Sequence, residues 1–242
     1  MKDIQSEHDP RRISIKKVGV KDISYPITLL DKEKRLQHTV ARVNMYVNLP
    51  HQFKGTHMSR FVEVLNQYHG EIHVKRIHDI LVAVKERLLA EEAHFELDFP
   101  YFLRSADGRM QEFRCRMHGS LTAREELTIE VEVPVVAAPG RIQPRATTLP
   151  PSLGRWGLAT VAVRYHRFVW LEDIINRVEE ATARCLREVE DPDCDEELTV
   201  ERLTSMIGEA LTSLPDIRWF QATVENFSAG YSTFATLEWP EH

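Results

Sequence analysis

From Leu127 to Val135 every second residue is apolar: Leu127, Ile129, Val131, Val133 and Val135 are spaced by Thr128, Glu130 and Glu132. This alternation marks a strand with one buried and one solvated face, because successive side chains leave a strand on opposite sides. The pattern recurs. Ala41, Val43, Met45, Val47 and Leu49 alternate with Arg42, Asn44, Tyr46 and Asn48, in a strand from His38 to Leu49. Phe95, Leu97 and Phe99 alternate with His94, Glu96 and Asp98, and Phe113, Cys115 and Met117 with Arg114, Arg116 and His118. Between the first of these strands and the rest lie two segments with helical spacing. One runs from Thr56 to Tyr68 and closes near Gly70, a residue suited to a left-handed C-cap; the other carries Val74, Ile77, Leu81, Val84 and Leu88 on one stripe. The residues before about Tyr25 read as a charged arm. Strands joined by short turns, with helices to cover one face, predict an antiparallel α+β layout.

From Pro134 to Gly154 the periodicity stops, and Pro139-Gly140, Pro144, Pro150-Pro151 and Gly154 punctuate a connecting loop. Beyond it the order of elements repeats. A strand over Leu158 to His166 precedes a long helix striped by Leu171, Ile174, Ile175, Val178, Thr182, Cys185 and Val189. A shorter helix spans Thr199 to Leu214, and strands over Arg218 to Phe227 and Ser232 to Trp239 end the pattern. The expected organisation is two tandem modules, 1–135 and 158–242, joined by a loop at 136–157.

A formal charge of -6 excludes a nucleic-acid partner held by bulk electrostatics, but leaves room for a small anionic ligand in a local basic pocket. Met1 to Arg12 carry no apolar run of a secretory leader, and no stretch is long and apolar enough for a membrane span. Cys115, Cys185 and Cys194 are too few and too scattered for a disulfide framework, which predicts a reducing, cytoplasmic setting.

Several runs carry a resemblance. They are His38-Thr39-Val40-Ala41-Arg42-Val43-Asn44-Met45-Tyr46-Val47, Leu49-Pro50-His51, and above all Phe53-Lys54-Gly55-Thr56-His57-Met58-Ser59-Arg60-Phe61. With Lys17 to Asp22, Tyr25-Pro26-Ile27, Phe99-Pro100-Tyr101-Phe102, Glu132-Val133-Pro134-Val135 and Glu225-Asn226-Phe227, they resemble the signature of GTP cyclohydrolase type IB. The resemblance implies a bimodular tunnelling fold, assembled as a homotetramer with active sites between subunits. It also implies opening of the GTP imidazole ring, release of formate and formation of dihydroneopterin triphosphate, a step of folate biosynthesis. In that family zinc or another divalent metal, held by cysteine, histidine and glutamate, activates the attacking water.

The chain departs from the family where that metal is held. The family's Cys-Pro-Cys loop and later histidine meet Val136-Ala137-Ala138-Pro139-Gly140-Arg141 and a stretch to Gly154 without Cys or His. Its two reacting histidines meet the places of Tyr231 and Thr233, and its ligand glutamate meets Asp191-Pro192-Asp193-Cys194. The resemblance predicts that these ligands are not retained and assigns no cofactor. Val200-Glu201 does match the family's Val-Glu pair, which makes Glu201 the candidate anchor of a purine edge; it is equally an ordinary first-turn helix glutamate. Lys54, Thr56, His57, Ser59 and Arg60 surround a helix start and are candidates for binding phosphate or for a subunit contact. His57 and Tyr231 are the acid–base candidates, and Tyr231 reads more simply as aromatic packing at a strand end. Cys194 is the one substitute metal ligand to consider, though a stray thiol in an acidic loop explains it as well. His118 and His166 read as surface or edge histidines, and Cys115 and Cys185 as core residues.

Three functions follow. The chain binds a purine- or pterin-like heterocycle at subunit interfaces with ring opening lost or altered; or it is an active GTP cyclohydrolase with a rearranged metal site; or it is a non-catalytic partner that regulates an active relative.

Overall fold

The computed structural model describes residues 15–33, 35–49, 57–68, 72, 76–104, 108–135, 157–189, 198–228 and 230–240. They divide into two compact units, 1–128 and 129–242.

The first unit begins with β1 (Ile15–Leu30) and β2 (Leu36–Leu49), paired antiparallel along most of their length. The expected charged arm is therefore a strand from Ile15 onward. Two register shifts, between Ile15 and Val18 and between Val20 and Ile23, break its alternation and hide it from a period-two reading. Asp22 takes a left-handed φ of 58° at the second shift, and its N–H donates to Asn44 Oδ1 at 2.9 Å. Past the shift alternation is regular, and Tyr25, Ile27 and Leu29 are buried.

Two helices follow, α1 (Met58–Gln67) and α2 (Ile77–Leu88). Phe61, Val64 and Leu65 form the buried face of α1, and Ile77, Ile80, Leu81, Val84 and Leu88 that of α2. α1 ends at Gln67, within one residue of the expected Tyr68. Tyr68 is the C-cap, and its hydroxyl donates to the Asp79 carbonyl at 3.1 Å, fastening the end of α1 to the start of α2. Gly70 and Val74 lie outside the described residues. β3 (Ala93–Arg104) and β4 (Met110–Leu121) complete the unit, β3 pairing with both β2 and β4. α2 packs on β3 and β4, so Phe95, Leu97, Phe99, Phe113, Cys115 and Met117 face the helix side and are buried. Each polar residue between them emerges on the helix-free side.

The second unit repeats that order. β5 (Glu125–Val135) pairs with β6 (Gly157–Tyr165), α3 (Leu171–Val189) and α4 (Val200–Thr212) follow, and β7 (Ile217–Ser228) and β8 (Tyr231–Trp239) close it. β6 pairs with β7 and β7 with β8, all antiparallel. α4 packs on α3, β7 and β8 through Leu203, Met206, Ile207 and Leu211. It starts at Thr199, whose hydroxyl accepts the Arg202 N–H at 3.1 Å. Thr199→Ala is expected to lower stability by about 1 kcal/mol, the usual value of an N-cap, and thermal melting monitored by circular dichroism measures it.

In both units a glycine marks a close approach between neighbouring strands. A Cβ on Gly19 would collide with the Met45 carbonyl, and one on Gly157 with the Glu225 carbonyl. No helix among the described residues is long and apolar enough to cross a membrane.

Candidate functional site

The residues singled out from the sequence are divided between the two units. His57 is the N-cap of α1, in extended backbone at φ -80°, and makes no side-chain cap hydrogen bond. Ser59 is exposed and Arg60 half-buried in the first turn of α1, and the Arg60 Nη1 donates to the Arg87 carbonyl at 3.5 Å. Lys54, Thr56 and Cys194 lie outside the described residues, as does the loop at 136–156. In the second unit Glu201 stands exposed in the first turn of α4, where a carboxylate complements the helix dipole. Tyr231 opens β8 opposite Ser228 and is 53% exposed, so it is not packed at the strand end. His166 follows β6, its N–H donating to the Asp216 carbonyl at 2.8 Å. Cys115 and Cys185 are buried thiols, and burial pushes the Cys185 thiol up.

The family's metal ligands find no replacement among these groups. Residues 136–156 contain no Cys, His, Asp or Glu, and the described residues form no cluster of three such side chains able to hold an ion. Among the described residues the donors do not fit the family's metal set.

One cluster of titratable side chains went unrecognised in the sequence. On the helix-free side of the first unit, Tyr46 stands opposite His94, Asn44 opposite Glu96 and Glu96 opposite His118 in the strand register. The Tyr46 hydroxyl donates to Glu96 Oε1 at 2.8 Å, and Asn44 Nδ2 donates to Glu96 Oε2 at 2.9 Å. Asn44 is itself fixed by the Asp22 N–H at the β1 bulge, so the irregular strand orients the carboxylate. The His94 ring lies 4.6 Å from the Tyr46 ring at an interplanar angle of 13°, and Lys17 Nζ sits 3.5 Å over the same tyrosine. His94 Nδ1 is 3.4 Å from His118 Nε2, which is 3.5 Å from the Tyr46 hydroxyl. Glu92 Oε2 lies 3.9 Å from His94 Nε2.

These contacts set the charges. Burial holds His94 below the usual imidazole range, and the neighbouring His118 charge adds to this against the pull of Glu92. Burial alone would raise Glu96, but the hydrogen bonds from Asn44 and Tyr46, with the charges of His118 and Lys17, leave its carboxyl below its ordinary value. Tyr46 is pushed well up by burial and by the Glu96 carboxylate it serves. The cluster therefore rests as a carboxylate with a neutral His94 beside it.

A pH dependence follows. With both groups depressed, the unfolded chain binds more protons on acidification, so stability falls as pH drops. The decline begins as pH passes below the free-histidine value of 6.5 and steepens below the free-glutamate value of 4.5. Urea midpoints measured at several pH values check it, and His94→Gln removes the first stage but not the second.

Comparison with known proteins places these observations. Residues 1–227 match the family described as Type I GTP cyclohydrolase folE2. A GTP cyclohydrolase FolE2 of Syntrophotalea carbinolica is 42% identical over 259 aligned positions, which take in 99% of this chain and 96% of that protein. One of Syntrophobacter fumaroxidans is 40% identical, with 98% and 99% covered. These alignments are longer than the 242-residue chain, so the relatives carry residues that it lacks. Among solved structures, uricase from Arthrobacter globiformis superposes with a TM-score of 0.58 over 92% of this chain and 91% of that one, at 9% identity. At that identity the likeness concerns the fold alone, and it agrees with a tunnelling-type α+β arrangement.

Proposed function

The chain belongs to the type I GTP cyclohydrolase FolE2 family, and on that premise we propose that it binds GTP, opens the imidazole ring with water and releases formate, leaving dihydroneopterin triphosphate. The observation that carries this reading is similarity along the whole chain to proteins of that name, at about 40% identity, rather than over a shared scaffold segment. It favours the active enzyme over a binding protein in which ring opening has been lost, and over a regulatory partner.

In this reading Glu201 takes the guanine edge. A carboxylate has two acceptor oxygens for the parallel ring N–H and amino donors, and Glu201 is exposed in its first-turn position. The start of α1, with His57, Ser59 and Arg60 and the preceding Lys54 and Thr56, suits the triphosphate through the helix dipole and its cations. Since the donors among the described residues do not fit the family's metal, no step is assigned to one.

We also propose a homotetramer in the cytoplasm. Its support is β8, which pairs with β7 and carries the exposed Tyr231 and Trp239 on one face and Phe234 on the other, apolar groups of the kind that association covers. Native mass spectrometry tests the assembly.

Incubation of metal-replete protein with GTP, followed by formate assay and by pterin fluorescence after oxidation, tests the activity. Equimolar formate and fluorescent pterin are expected. GTP binding by calorimetry without formate release would replace this reading with that of a non-hydrolytic heterocycle binder.

A further inference from the structure

We propose that His94 and His118 form a proton-relay pair, and that this pair is the acid–base centre through which the first unit serves the chemistry of a bound nitrogen heterocycle. The choice of heterocycle rests on the reading of the chain as a GTP cyclohydrolase; the pairing of the two rings does not.

The geometry is that of two nitrogens facing each other. His94 Nδ1 and His118 Nε2 are 3.4 Å apart, while the ring centres are 5.6 Å apart with planes 19° from parallel. The centres exceed the nitrogens in separation by about the width of an imidazole, so the rings meet end to end instead of covering one another. Two lone pairs or two N–H groups cannot face each other in this way, and one proton between the nitrogens resolves the contact. A metal between two histidines requires their lone pairs to converge from an angle, which an end-to-end pair does not provide.

The surroundings hold the pair in place. Tyr46 stacks on His94, its hydroxyl is tied to Glu96, and Glu96 is tied to Asn44, so each side chain has a partner that fixes its rotamer. The charged and titratable neighbours include Lys17 from β1, Tyr46 from β2, Glu92 just before β3, Glu96 from β3, and His118 itself from β4. Both histidines are half-buried on the side that carries no helix, so they are partly shielded from water and still reachable.

Such a pair moves protons without changing charge. A proton accepted at His94 Nε2 lets the shared proton pass from His94 Nδ1 to His118 Nε2, and the proton on His118 Nδ1 departs; the reverse path is equivalent. Hydrolytic opening of a purine ring needs this traffic. A C–O bond forms as the water O–H breaks, and the C–N bond breaks as the departing nitrogen gains N–H. One proton is collected and one delivered at different atoms. Residues 136–156 offer no Cys, His, Asp or Glu for that exchange, whereas His94 and His118 offer two imidazoles within reach of each other.

The test combines titration with turnover. In protein labelled with 15N at histidine, long-range 1H–15N NMR from about pH 8 to about pH 5 is expected to show the two rings titrating in separate, mutually dependent steps. In His118→Gln, His94 is expected to revert to a single titration at higher pH. With GTP, His94→Gln and His118→Gln are each expected to lower kcat about 100-fold and flatten the pH profile, with KM changed only a few-fold. Tyr46→Phe, which keeps the ring and removes the hydroxyl, gives a smaller loss in the same direction. Independent titration of the two rings overturns the pairing. An unchanged kcat and pH profile in both glutamine variants overturns the relay role. Absence of formate release by the wild-type protein removes the GTP reading and the chemical role with it, and the titration then decides the pairing alone.

Discussion

Phe95→Ala is expected to destabilise the protein by about 3–5 kcal/mol, the usual range for deleting a buried phenylalanine ring. Phe95 is 1% exposed on β3, between Met45 and Gly119 in the strand register and on the side covered by α2. Truncation removes apolar surface from the core and leaves a cavity that two strands and a helix cannot readily close. Its effect should extend to the other side of the sheet, because His94 and Glu96 flank it in sequence and owe their positions to the same strand. Urea unfolding at neutral pH measures the loss, and the His94 and His118 NMR signals report the disturbance. A loss below about 1 kcal/mol would mean that the site is not packed as described.

Glu201→Ala is expected to weaken GTP binding by roughly 10- to 100-fold, since a charged acceptor that takes two donors is removed and the donors lose their partner. Because Glu201 is exposed and needs no packing, the melting temperature should stay close to that of the parent. Calorimetric titration of GTP into both proteins separates the two effects. Equal affinities would reduce Glu201 to an ordinary first-turn glutamate and move the purine-anchoring role elsewhere.

Most of the fold was legible because its strands are half-buried and its helices one-sided. Phe95, Leu97 and Phe99 or Ile129, Val131 and Val133 announce a strand by spacing alone, and the stripe from Ile174 to Cys185 announces α3. β1 was hidden for a physical reason. Its two register shifts move the apolar residues out of phase, so the alternation from Tyr25 to Leu29 looks like an isolated fragment. The cluster at His94 was hidden for another reason. Tyr46, His94 and His118 come from three strands, and only their register makes them neighbours. The available signal was weak: three consecutive strands each place a titratable or hydrogen-bonding residue on the polar side. From sequence His118 reads as a surface or edge histidine because its partners lie 24 and 72 positions away. Glu201 reached notice through family resemblance, since a first-turn glutamate has no signature of its own.

Gly19 and Gly157 carry a consequence for the history of this chain. Where the Met45 and Glu225 carbonyls press against them, even a methyl group would force two backbones apart. Descendants of this sequence are free to rewrite their loops and to exchange one aliphatic side chain for another. At these two sites, one in each half, inheritance has no alphabet to draw on beyond a single hydrogen atom.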